Sequence, residues 1–456
     1  MESTMTARGF RLLPLSIACC AALSSGPPAA CAQTLADEVR SLRLELERLR
    51  QEVETLKSER REPARPAAPA APPAQEAPGV EVIPVLQAQL AEQAQTKVES
   101  NSKLPVKLFG NIVSNTFFNT GEANWLDIPN LVGPNPGSSL PRGSFSSTLR
   151  QSRLGATIEG PTIGSAKASG FFALDFFGGI TNFQTGQTMG IPRLLYAFVR
   201  LEGDKTALEV GQDQMILAPK NPTSLAAMAF PDLYRSGNLY LRVPQARLER
   251  RVSAGDLGEF QLTGGNLAPI GGDLSATALT FVPPNLAGER SRRPALQARI
   301  AWSRKRNDRG WELGFSGHTG SERYATGSRR SWAGAVDFDA SAGRFGVGGE
   351  WFVGRNIDAF GGSLGQLAKS AGGFAEARLR ATSRFELNAG YGLDRLFDQI
   401  AFPAPLARNA SVFANTIYHF TPEVAASFEY RWLVTRPSTG ESRRNNHFNL
   451  VLAYTF

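Results

Sequence analysis

The chain ends on NNHFNLVLAYTF, Asn445 to Phe456, in which apolar residues fall at every second position. Phe448, Leu450, Leu452, Tyr454 and Phe456 therefore share one face of a β-strand, and His447, Asn449 and Thr455 share the other, which is expected to face water. A soluble sheet uses the same alternation to cover a core, so this strand alone leaves a globular domain and a membrane wall both open. The rest of the chain decides between them.

From about Lys103 onward the same two-residue period recurs, with turns and loops between. Val424, Ala426, Phe428, Tyr430 and Trp432 oppose Ser427, Glu429 and Arg431; Phe385, Leu387, Ala389, Tyr391 and Leu393 oppose Glu386, Asn388 and Asp394. Trp332, Val336 and Phe338 oppose Asp337 and Asp339, and Leu296, Ala298, Ile300 and Trp302 oppose Gln297, Arg299 and Ser303. The polar faces mix small Gly, Ser and Asn with isolated charges. Aromatics gather near strand ends, at Trp302, Trp311, Trp332, Trp351, Tyr418, Phe420 and Trp432, as in interfacial girdles. The pattern predicts an all-β transmembrane barrel over 103–456, of about 16 antiparallel strands. Those strands include Ser144–Ile158, Trp311–Gly320 and Arg330–Asp339. Short turns alternate with long Pro/Gly-rich loops, the longest candidate for an inward fold being the third, Ala218 to Pro244.

The 456 residues, 45 Gly and 42% hydrophobic content do not suit a helical membrane protein, and after the leader no stretch nears the roughly 18 to 20 apolar residues a spanning helix needs. Residues 1–32 read as a signal peptide: Arg8 and Arg11, an apolar run from Leu12 to Leu23, then Ala30-Cys31-Ala32 before Gln33. A lipoprotein cleavage at Cys19 would need a longer apolar run. Cys19, Cys20 and Cys31 all lie in this leader, so the mature chain is expected to hold no disulfide, thiolate ligand or cysteine nucleophile. No cofactor or metal site is read from it.

Residues 33–61 carry a heptad seam at Leu35, Val39, Leu42, Leu46, Leu49, Val53 and Leu56. Glu38, Glu45 and Glu52 at g face Arg43, Arg50 and Lys57 at e, which predicts a parallel α-helical coiled coil. Val at a with Leu at d leaves dimer and trimer open. A Pro/Ala-rich linker, 62–80, cannot hold a helix, and 81–102 reads as a short helical or irregular segment. Short turns on the side of the first strand would put this N-terminal region in the periplasm.

The chain resembles the DcaP-like trimeric porins of Gram-negative outer membranes. The resemblance rests on the order of leader, coiled coil, Pro-rich spacer, barrel and terminal Phe. It rests too on VKLFGNIVSNTFFNT (Val106 to Thr120), LEVGQDQM (Leu208 to Met215), RVPQARLERR (Arg242 to Arg251) and YTF (Tyr454 to Phe456). It implies an outer-membrane homotrimer, passive diffusion of small hydrophilic solutes such as carboxylates and dicarboxylates, and recognition of Tyr454 and Phe456 by the barrel-insertion machinery. Independently of it, the formal net charge of +8 and the arginines of the polar faces point to an anion-preferring interior. Residues expected at the constriction are Asp232, Arg235, Tyr240, Arg242, Arg247, Arg251, Arg299, Arg378, Arg380 and Arg431. Pairing of these arginines with Glu209, Asp213, Glu249, Glu376 and Glu429 would instead give a transverse field with little net selectivity.

Other readings are weaker on residue grounds. A barrel-embedded hydrolase would have only His318, His419 and His447, each isolated and without a G-x-S-x-G nucleophile turn. A tether to the cell wall through the coiled coil is the structural alternative, though the heptad charges are accounted for by e/g pairing. The arginines are too scattered for a nucleic-acid face. Deleting Leu35 to Glu59 is expected to leave single-channel conductance intact and to weaken the oligomer on unheated gels; loss of cell-wall association as the sole defect would favour the tether.

Overall fold

The computed structural model describes residues 105–137, 140–179, 190–272, 285–306, 308–398 and 405–456. The signal peptide, heptad helix, linker and 81–102 segment read from the sequence lie outside the described residues.

Sixteen staves run in chain order, each hydrogen-bonded antiparallel to the next. They are β1 (Val106–Asn119), β2 in two pieces (Ser144–Thr148 and Arg153–Ile163), β3 (Ala166–Asp175), β4 (Arg193–Glu202), β5 (Thr206–Gln214), β6 (Arg242–Ser253), β7 (Glu259–Leu267) and β8 (Ala295–Arg306). The second half comprises β9 (Arg309–Tyr324), β10 (Gly327–Ala342), β11 (Phe345–Arg355), β12 (Lys369–Arg380), β13 (Phe385–Leu396), β14 (Leu406–His419), β15 (Val424–Pro437) and β16 (Arg443–Thr455). The last stave pairs with the first from Asn111↔Thr455 to Asn119↔His447, so the sheet closes on itself. Closure removes the unpaired edges that an open sheet would present to lipid.

Burial is inverted relative to a soluble domain. Leu108, Ile112, Val199, Leu248, Ile300, Phe315, Trp351, Phe428, Leu450 and Leu452 are exposed on the outside, while Asn115, Asp337, Glu350, Asp394, Glu429, Arg431 and Asn449 are buried inside. So continuous an apolar exterior is stable only in contact with lipid. Stacked or edge-on aromatics mark its short-turn end, with Phe260, Trp302 and Trp311 in sequence at 5.8 and 4.5 Å and Tyr418 against Phe420 at 5.0 Å. Toward the long-loop end Phe448 packs with Tyr430 at 5.2 Å and Phe118 at 6.4 Å.

Three expectations change. The second strand does not run unbroken from Ser144 to Ile158: it breaks at Leu149–Ser152, where a turn closed by Ser152 N–H to Leu149 O (2.9 Å) sends Gln151 into the lumen to bind a loop, and its second piece extends to Ile163. The segments read as Trp311–Gly320 and Arg330–Asp339 are the middles of β9 and β10, which pair as far as Tyr324↔Gly327. Their outer residues are polar on both faces, so they lack the alternation by which a strand is recognised. His447 and Asn449 do face inward, but not toward water. They are 1% and 0% exposed, with His447 Nδ1 2.9 Å from Asn119 Oδ1 and Asn449 donating to the Asp127 carbonyl (3.4 Å). The β1–β2 loop covers them.

The closing seam is tight. Gly110 and Phe456 exchange two backbone hydrogen bonds of 3.0 Å, and a Cβ on Gly110 would lie 2.8 Å from the Arg153 carbonyl and 2.6 Å from the Phe456 ring. A Gly110→Val variant is expected to lower the folded fraction on unheated gels, with little effect on translation; a wild-type folded fraction would show that the seam tolerates a side chain.

Candidate functional site

The connection between β5 and β6, residues 215–241, folds into the barrel rather than out of it. It ends, and β6 starts, at Arg242, earlier than the expected boundary at Pro244, because Arg242 and Val243 already pair with Gln214 and Asp213. The root is apolar: Met215, Ile216, Leu217 and Ala218 pack with Leu239 and Val243. Beyond it the loop is polar and is fixed residue by residue to the inner wall. Gln297 of β8 accepts from the Ile216 and Leu217 amides (2.9 Å each), and Lys220 binds Glu312 of β9 (2.7 Å). Glu376 of β12 accepts from the Thr223 amide (2.8 Å), and Glu429 of β15 from the Ser224 hydroxyl (2.5 Å). Gln151 of β2 accepts from the Met228 amide (2.8 Å), and Glu350 of β11 from Asn238 and the Leu239 amide (2.9 and 3.0 Å).

Anchors on so many different strands draw the loop across the lumen. Its far bend presses so closely on the wall that a Cβ on Gly392 of β13 would sit 2.0 Å from the Ser236 carbonyl, and Gly237 adopts φ +102°. The bend is locked by an ion pair, Asp232 to Arg431 of β15 at 3.0 Å, with the two residues 2% and 0% exposed. Burial pushes the Asp232 carboxyl above its ordinary pKa, against the downward pull of the Arg431 guanidinium.

The charges that remain in the lumen form three groups. On β4 to β6, Arg200 binds Glu249 (2.7 Å) and Glu209 (3.2 Å), Arg247 binds Asp213 (2.7 Å) and Glu209 (3.1 Å), and Arg251 binds Glu202 (3.2 Å). On β8 to β12, Arg299 binds Asp337 (2.6 Å) and Glu312 (2.7 Å), and Arg378 binds Asp339 (2.5 Å). A cavity of about 860 Å³ opens beside this second group toward the short-turn end, where Arg380 lies 3.6 Å from Glu386. In both networks every arginine is matched by carboxylates, and in the first four acids face three arginines.

The third group sits where the loop meets β2, β4 and β6, and its cations outnumber its acids. Arg150 is held by Asp127 (Nε to Oδ2, 3.0 Å) and Arg193 by Asp175 (2.7 Å). Arg153 and Arg242 pair with no carboxylate among the described residues, and Nε of each is buried without a hydrogen-bond partner, as is Nε of Arg235. Arg153 donates to the Met228 carbonyl of the loop. Arg242 lies between the Tyr196 and Tyr240 rings, 4.8 and 4.9 Å from their centroids, and Arg235 lies 5.7 Å from that of Tyr234.

Of the residues singled out in the sequence, Tyr240 and Arg242 fall in this third group, and Arg235 stands at the far bend beside β14, where Asn409 donates to its carbonyl. Asp232 and Arg431 form the lock, Arg247 and Arg251 belong to the first network, and Arg299 and Arg378 to the second. Arg380 is exposed at the short-turn end. Sequence reasoning missed Arg153, Arg193 and Arg200, although their inward parity was legible, and Lys220, which nothing local marks. Among the described residues no His, Asp and Glu cluster is arranged to hold a metal ion.

An Arg431→Leu substitution strands Asp232 without its partner, at a cost of about 3 kcal/mol for a broken buried pair. The expected result is a larger, noisier single-channel conductance as the bend detaches; unchanged conductance would show that the other anchors suffice.

Two of the solved structures similar to the chain set its fold. The outer membrane channel DcaP of Acinetobacter baumannii aligns with 79% of this chain and 99% of its own, at a TM-score of 0.60 and 15% identity. An anion-selective porin from Comamonas acidovorans aligns with 78% of this chain and 100% of its own, at 0.50 and 12% identity. No family model matches the chain, and no curated protein matches it in sequence. The chain has the closed sixteen-strand fold of outer-membrane porins, and the resemblance to DcaP read from its sequence holds at the level of fold.

Proposed function

We propose that the chain is an outer-membrane porin: a passive channel for small hydrophilic solutes, preferring anions, with its long loops outside the cell and its short turns and N-terminal region in the periplasm. A barrel of this strand number leaves a water-filled lumen, which the inward loop narrows. The observation that carries the anion preference is the contrast among the three charge groups. In two every arginine is matched by carboxylates, which sets up a transverse field, while Arg153 and Arg242 leave uncompensated positive charge near the loop's root. In a narrow passage such charge is poorly screened and lowers the energy of a passing anion.

The anion selectivity named for the Comamonas acidovorans porin supports the same reading, and the resemblance to DcaP-like porins extends it to small carboxylates and dicarboxylates. The heptad seam supports self-association, the resemblance to DcaP-like porins makes the copy number three, and the terminal Tyr454 and Phe456 support recognition by the insertion machinery.

Purified oligomer in a planar bilayer under a KCl gradient is expected to show a reversal potential of anionic sign. Removing one charge in an Arg242→Gln variant is expected to lower the chloride-to-potassium permeability ratio about 5-fold, since one unit charge at 4 Å is worth about 1 kcal/mol even in water. Cation preference in the wild type would overturn the reading.

A further inference from the structure

Six neighbouring staves, β11 to β16, each turn a basic side chain outward at the long-loop rim: Arg355, Lys369, Arg395, Arg408, Arg436 and Arg444. Their orientation follows from parity, because the adjoining Ser370, Leu396, Asn409, Thr435 and Asn445 are buried on the lumen side. Register places Arg355 opposite Lys369, Arg395 opposite Arg408, and Arg408 opposite Arg436, while Arg444 lies opposite Val434 on the same face. At the usual spacing between strands, the arc spans roughly 24 Å.

Like charges directly opposite one another in a sheet are destabilising, with Cβ atoms only about 5 Å apart. Here such pairs recur on successive strands with one acid among them, Asp398, 3.2 Å from Arg355. The other five have no carboxylate partner among the described residues. Below them toward the apolar band lie exposed aromatics, Tyr391, Trp432 and Phe448, and the Tyr391 hydroxyl accepts from Arg408 Nη2 at 3.3 Å. The cations therefore stand at the depth of lipid headgroups, above the interfacial aromatics.

By the same parity Arg323 of β9 and Arg330 of β10 also point outward near the long-loop end, so the outward cations occupy one side of the barrel. On β1 to β5 the outward residues near the same rim include Phe118, Phe145, Leu174, Leu194 and Gln212, none of them charged. Ordinary interfacial anchoring would populate the whole circumference.

We infer that the β11–β16 arc binds the phosphate groups of a phosphorylated glycolipid in the outer leaflet, each phosphate bridging cations on adjacent strands. Arginine forks suit this role, since one guanidinium donates two parallel hydrogen bonds to a phosphate. Bound phosphate also explains why the cross-strand repulsion is tolerated. The inference rests on the orientation proposed above, with the long loops outside.

The test is native mass spectrometry of the full-length oligomer in detergent, supplied with bis-phosphorylated lipid A, with the same lipid after phosphate removal, or with phosphatidylglycerol. Wild type is expected to retain bis-phosphorylated lipid A about 10-fold better than either control, and an R395Q/R408Q/R436Q variant to lose that preference, a difference of about 1.4 kcal/mol. Its conductance and gel mobility are expected to match wild type. Equal retention by variant and wild type, or of the dephosphorylated lipid or phosphatidylglycerol by wild type, overturns the inference. If the variant fails to fold, the lipid comparison on wild type still decides. Absence of conductance would overturn the porin reading and leave the lipid result standing.

Discussion

Hydrocarbon offers no hydrogen bonds, and the rest of this structure depends on that constraint. Each backbone amide and carbonyl at membrane depth must find a partner within the protein, so the sheet has to close. The seam between β16 and β1 is where closure happens: Phe456 hydrogen-bonds to Gly110 through its backbone and lays its ring where Gly110 has no side chain. Closure in turn creates an interior shielded from lipid, where charged and amide side chains can be buried.

The interior is used asymmetrically. Carboxylates and amides on β8, β11 and β12 act as acceptors for the backbone of one loop, which would otherwise leave its amides unpaired inside the barrel, and Glu429 on β15 accepts from the loop's Ser224 hydroxyl. These groups are structural, and so is the Asp232–Arg431 pair. Arginines on β4 to β6 and β8 to β12 are matched by acids one or two strands away. Among the described lumen residues, unmatched positive charge includes that near the root of the loop, where Tyr196 and Tyr240 flank Arg242 through their ring faces instead of opposing its charge.

Much of the fold was legible in the residues because strand alternation is a local property. The outward series on β8, β13 and β15 required only a period of two, and the number of staves followed from counting such segments. The polar ends of β9 and β10 were not legible, because beyond the bilayer neither face of a strand needs to be apolar. The break in β2 was hidden for a different reason: Gln151 turns inward to hold a loop that follows it by some seventy-five residues in sequence.

The sequence by itself determined which side chains face lipid and which face the lumen, that the sheet must close, and that the lumen is rich in arginine. Only the tertiary structure decided which of those arginines carry uncompensated charge. Neutralisation depends on register across staves and on the path of the loop, so Arg299 is matched by Asp337 on a strand two away and Arg431 by Asp232 from the loop itself. Periodicity assigns a face to each residue, but ion pairing is set by distances between strands, which no local pattern encodes.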